Sequence, residues 1–90
     1  MKFVHKVKVK NMMGLHTRPA TAIVKMLQNC KSDVHFIYKN ETINAKSILS
    51  ILMLAAKKNT SITIQAEGTD AQEVVLRLVE GFETCFGEQF

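Results

Sequence analysis

Apolar and polar positions alternate along residues 2 to 9, with Phe3, His5, Val7 and Val9 on one side and Lys6, Lys8 and Lys10 on the other, the two-residue period of a half-solvated strand. After the loop Asn11-Met12-Met13-Gly14 the period lengthens, and Ala20, Ile23, Val24 and Leu27 recur at helical spacing to about Gln28. Val34, Phe36 and Tyr38 then alternate with His35 and Ile37, Lys39-Asn40 supplies a turn, and Glu41 to Asn44 returns as a short strand. Ser47 to about Leu54 is nearly all apolar, a short helix able to cover the sheet on one side and still expose some hydrophobic residues. Lys57-Lys58-Asn59 is a loop in which Asn59 suits a left-handed conformation, and Ser61 to Ala66 is a fourth strand. In the last helix Thr69 with Gln72 reads as a capping box and Asp70 lies in the first turn; Ala71, Val74, Val75, Leu78, Val79, Phe82 and Phe86 trace one face.

The order is β-α-β-β-α-β-α, with strands too short and too polar on one side to be buried on both faces. It predicts an α+β layer of three helices on one face of a four-stranded antiparallel sheet. A chain of 90 residues with 47% hydrophobic content is expected to form one domain, residues 1–90, with a modest core.

The first helix opens on the octet Gly14-Leu15-His16-Thr17-Arg18-Pro19-Ala20-Thr21. Pro19 suits a first helical turn, so the helix is expected to start within a residue or two of His16. His16 would then sit at the positive end of a helix dipole. The free N–H groups near Thr17 and Arg18 favour a phosphate there, and the Arg18 side chain adds charged donors. The same field disfavours an imidazolium, so a neutral ring with a free lone pair, able to attack phosphorus, is expected near pH 7. The plainer reading of this octet is a histidine that merely caps a helix beside a solvated arginine. Ser47 divides the same way: serine before an apolar helix is a common N-cap, and a phosphate on it would also lie at a helix N-terminus.

The octet and the later run Ala45-Lys46-Ser47-Ile48-Leu49-Ser50-Ile51-Leu52-Met53-Leu54 together resemble the histidine-containing phosphocarrier (HPr) family of the bacterial phosphoenolpyruvate-dependent sugar phosphotransferase system. The resemblance runs over essentially the whole chain in length, motif order and spacing. It implies an open-faced β-sandwich in which His16 is phosphorylated through Nδ1, with Arg18 beside it and the phosphate held near Thr17 and Arg18. The implied relay runs from enzyme I to IIA domains, with Ser47 as a regulatory site for a dedicated kinase/phosphatase. Ile48, Leu49 and Leu52 correspond to the family's exposed docking patch, and Thr21 and Lys25 are further candidates for contacting partners. A transcriptional regulator is a further possible partner, and the alternative reading is a mainly regulatory module controlled through Ser47. Three positions depart from the family pattern: Met13 before Gly14, Ala55 where glycine is common after the short helix, and Cys30 near the end of the first helix.

A formal charge of +4, with Arg18 and Lys25 among the cations, suits acidic partner surfaces. A small RNA-binding domain ranks far behind, because no Lys/Arg-Gly-aromatic run or stacking pair is present, and no nucleic-acid partner is expected. His5, His35, Cys30 and Cys85 show no metal-ligand spacing, so neither metal nor cofactor is expected. Two plainly spaced cysteines read as reduced thiols. The lysine-interleaved N-terminus does not read as a signal peptide, and no segment reads as a membrane span. The expectation is a cytoplasmic monomer without stand-alone catalytic activity.

Overall fold

The computed structural model describes residues 1–88. Its elements are β1 (Lys2–Lys8), α1 (Thr17–Leu27), β2 (Asp33–Tyr38), β3 (Glu41–Asn44), α2 (Ile48–Leu54), β4 (Ser61–Glu67) and α3 (Ala71–Glu83), followed by a 3₁₀ turn at Cys85–Gly87. All strand pairings are antiparallel and the sheet order is β1-β4-β2-β3, so β2 and β3 form a hairpin at one edge, while β4 comes from the far end of the chain to lie between β2 and β1. This is the α+β open-faced sheet expected from the order of elements.

Register decides which side chains are covered. Val7 stands opposite Ile62 and Phe3 opposite Ala66, while Phe36 stands opposite both Ile64 and Ile43, which puts these residues on the helix-covered face. Ile62, Ile64, Ala66, Val34 and Phe36 are fully buried there, each large aliphatic or aromatic one contributing about 1.5–3 kcal/mol over an exposed position. The other face carries Lys6, Lys8, Thr63 and Gln65 into solvent. His5 shares the covered side but lies on an edge strand and stays exposed. From above, α1 lays down Pro19, Ala20, Ile23 and Leu27, α2 adds Ile51 and Leu54, and α3 adds Val74, Val75, Leu78 and Phe82. The Phe82 ring meets Phe36 edge-on at 5.8 Å, joining the last helix to the middle of the sheet.

Two expectations about α3 are corrected. The capping box of Thr69 with Gln72 does not form: the cap position belongs to Asp70, one residue later, which gives its carboxylate to the Lys31 N–H and the Ser32 hydroxyl across the molecule and caps nothing. Those two bonds, the Lys31 one foremost, hold the Asp70 carboxyl below its ordinary range. The helix also ends at Glu83, so Phe86 is not on its apolar face by periodicity. The chain reverses through left-handed Cys85 and Phe86 (φ 57° and 49°), and Phe86 comes back to rest on Gly81 and on the Phe82 ring. A Cβ at Gly81 would run into that ring. Left-handed Asn59 (φ 72°) fits its expected place, and Ala55 ends α2 in the same conformation (φ 54°, ψ 39°). Cys30 and Cys85 are free thiols.

Candidate functional site

His16 is placed by the segment that precedes it. Val9 is buried and bonds in both directions with the 59–60 loop (Val9 N–H to Thr60 O, 2.8 Å; Asn59 N–H to Val9 O, 2.7 Å), which carries the backbone past the end of β1. A turn closed by the Gly14 N–H on Asn11 O (3.0 Å) follows, with Gly14 at φ +69° and so tight against the Ala56 carbonyl that a Cβ would collide with it. Buried Leu15 then donates its N–H to that same carbonyl at 3.0 Å. The next residue is His16, the N-cap of α1, whose carbonyl accepts the Ala20 N–H at 3.0 Å.

Although His16 occupies the cap position, its side chain caps nothing. The cap is made by the His16 backbone alone, which leaves the imidazole free to engage elsewhere. The N–H groups of Thr17 and Arg18 are in the first helical turn, where no intrahelical acceptor exists, and Pro19 has no N–H to add. His16, Thr17, Arg18 and Thr21 line one open depression, and the Thr21 hydroxyl is turned inward to the Thr17 carbonyl (2.8 Å). Lys25 lies two turns farther along α1 and lines a separate hollow with Asn29, Asp70, Glu73 and Arg77, so it is not part of this depression.

The imidazole has a partner that the sequence did not reveal. His16 Nε2 lies 2.7 Å from Glu88 Oε2, and Asn11 Nδ2 donates to Glu88 Oε1 at 2.6 Å and to the Cys85 carbonyl at 2.9 Å. Glu88 is brought there by the turn on which Phe86 packs. Its side chain is only 8% exposed, against 31% for His16. Burial pushes the Glu88 carboxyl up, but hydrogen bonds from Asn11 and His16, with His16 and Arg18 nearby, outweigh it and leave the group below its ordinary range. Asn11 is itself fully buried, and its Oδ1 has no partner among the described residues; the amide is oriented for its two acceptors. In the sequence Asn11 reads as an ordinary loop residue, and its burial between exposed methionines and the turn after α3 is set by the tertiary structure. Glu88, in a stretch without periodicity, gave no signal.

Ser47 is the N-cap of α2, its hydroxyl accepting the Ser50 N–H at 3.2 Å and its carbonyl the Ile51 N–H at 3.1 Å. Of the three residues matched to a docking patch, Ile48 and Leu49 are exposed, whereas Leu52 is half-buried and packs on the core. Met53 points outward, and Met12 and Met13 on the 11–14 loop are exposed as well; that loop meets the end of α2 at Ala56 and Lys57. Among the described residues no helix is long and apolar enough to cross a membrane.

Comparison with known proteins agrees with this architecture. Residues 4–84 match the family model described as the PTS HPr component phosphorylation site. A phosphocarrier protein HPr of Chlamydia pneumoniae is 42% identical over 80 residues, covering 89% of this chain and 74% of its own length. The HPr of Buchnera aphidicola subsp. Schizaphis graminum is 41% identical over 76 residues, covering 84% of this chain and 89% of its own. The crystal structure of an HPr from Thermoanaerobacter tengcongensis superposes with a TM-score of 0.92 at 33% identity, covering 98% of this chain and 99% of that one. A cap histidine with an uncommitted nitrogen, set over free helix N–H groups on this open-faced sheet, thus occurs in a chain that belongs to the HPr phosphocarrier family of the phosphotransferase system.

Proposed function

We propose that His16 is the residue that carries the phosphoryl group, accepting it from the phosphohistidine of enzyme I and delivering it to IIA domains. The observation that carries this reading is the His16 ring at the cap of α1 with its Nε2 held by Glu88 and its Nδ1 making no hydrogen bond among the described residues. The Nδ1 lone pair attacks phosphorus in line. The N–P bond of the donor breaks, and its electron pair returns to the donor imidazole through a loose transition state. The Thr17 and Arg18 N–H groups and the Arg18 guanidinium lie where the charge on the moving phosphoryl oxygens can be shared, and the helix dipole adds to them. Delivery to a IIA domain runs the same step with the roles exchanged. Exposed Ile48, Leu49, Met53, Met12 and Met13 support a small, short-lived docking contact, and Thr21 and Lys25 extend the contact surface along α1.

Ser47 is proposed as a regulatory phosphorylation site for a serine kinase/phosphatase. A phosphate there adds about −2 charge among Ile48, Leu49 and Met53, opposing an acidic partner surface while remaining at a helix N-terminus. In that state the chain would serve a transcriptional regulator instead of the relay. The protein is read as a cytoplasmic monomer of one domain.

The carrier reading is tested by incubating the protein with enzyme I and phosphoenolpyruvate, then measuring intact mass for wild type and His16→Ala. An acid-labile phosphate that disappears in His16→Ala is expected. A folded wild type left unlabelled by active enzyme I overturns the reading.

A further inference from the structure

We propose that Glu88 is a positioning residue for the transfer, one that holds the His16 ring in its reactive tautomer and faces the charge that the ring acquires when phosphorylated; this rests on the carrier reading of His16. The argument starts from the inventory of donors. An ionised carboxylate has acceptors only, so at 2.7 Å from Glu88 Oε2 the His16 Nε2 must carry the proton. In the neutral ring the lone pair is then on Nδ1. The carboxylate cannot swing away to accept a different arrangement, because Asn11 grips its other oxygen at 2.6 Å and the same amide is anchored on the Cys85 carbonyl. The 11–14 loop and the adjoining start of α1 thus converge with the turn after α3, which is remote in sequence, on one imidazole edge.

The same contact acts during the step. As Nδ1 forms its bond to phosphorus and the donor's P–N bond breaks, the His16 ring keeps its Nε2 proton and takes up positive charge. Glu88 meets that charge from the ring edge that points away from the incoming group, so it stabilises the cationic ring without blocking approach. The arrangement is analogous to the carboxylate behind the histidine of a serine protease, where the amide replacement is damaging because it permits the wrong tautomer. Glu88→Gln has the same size as the native residue and its Nε2 can donate to the ring, which would place the proton on Nδ1. Glu88→Ala removes the partner and admits water.

The test uses the full chain. In unphosphorylated protein, ¹H–¹⁵N NMR of the His16 ring is expected to show the Nε2–H form with a proton protected from exchange in wild type. That protection is lost in Glu88→Ala, and a mixture of tautomers appears in Glu88→Gln. With enzyme I and phosphoenolpyruvate, both variants are expected to be phosphorylated about tenfold more slowly; this is the lower end for a hydrogen bond to a charged group, since the ring is partly in water. Asn11→Ala, which frees the carboxylate without touching it, is expected to lie between the variants and wild type. Wild-type rates with unchanged ring signals in Glu88→Gln and Glu88→Ala overturn the proposal and leave the carrier reading intact. A wild type that takes no phosphate at all, with its ring proton still protected, instead overturns the carrier reading and with it the catalytic sense of the contact.

Discussion

Replacing Phe86 by alanine tests how the turn that carries Glu88 is held. The ring is half-buried, meets Phe82 edge-on at 4.9 Å and 74°, and covers Gly81. A fully buried phenylalanine truncated to alanine costs about 3–5 kcal/mol, so this half-buried one contributes about 2. Against it, Cys85 and Phe86 both hold left-handed backbone, at about 1 kcal/mol each, the low end for single residues in that region. The Asn11 bond to the Cys85 carbonyl returns about 1 kcal/mol. The turn is therefore closed by a margin on the order of 1 kcal/mol, and losing the ring tips it open. Global stability can fall only by that margin, because the backbone strain is released at the same time. Urea denaturation should thus show a loss of about 1 kcal/mol and a melting temperature lower by about 4–8 °C. The protected His16 ring proton should vanish in the same variant. A loss of 3 kcal/mol or more with the ring proton still protected would refute the reasoning, since it would mean that Phe86 is an ordinary core residue and that Glu88 is held without it.

Ala55→Gly should stabilise the protein by about 0.5–1 kcal/mol in denaturant unfolding, because Ala55 ends α2 at φ 54° and glycine takes that conformation without a Cβ penalty; no gain would mean that the backbone there relaxes. Ser47→Ala should cost about 0.5–1 kcal/mol, the low end for a lost N-cap given a 3.2 Å bond and a seven-residue helix, whereas Ser47→Asp should keep that stability and slow phosphorylation of the protein by enzyme I. Undiminished acceptance by Ser47→Asp would count against a regulatory role for this position.

The local signals that sequence carries best were those with a short physical range. Two-residue and helical periods placed the four strands and the first two helices within a residue or two and overran the end of α3, because the side of an element that loses water is set by spacing, whereas the end of a helix is not. Pro19 and the octet around it located the start of α1 and hence His16, since proline's fixed φ acts where it stands. The capping box of Thr69 with Gln72 failed because the cap position falls one residue later, on Asp70, whose carboxylate binds Lys31 and Ser32, remote in the chain. Phe86 kept the helical period but lay beyond the end of the helix, where contact with Gly81 and Phe82 decided its place. Leu52 lost its expected exposure for the same reason: in a helix that is apolar nearly all round, only the body it packs against chooses the face. The partner of the His16 ring lay furthest from view. A hydrogen bond between residues 72 positions apart leaves no periodicity, and only closure of the sheet and the return of α3 over it brings Asn11, His16 and Glu88 together.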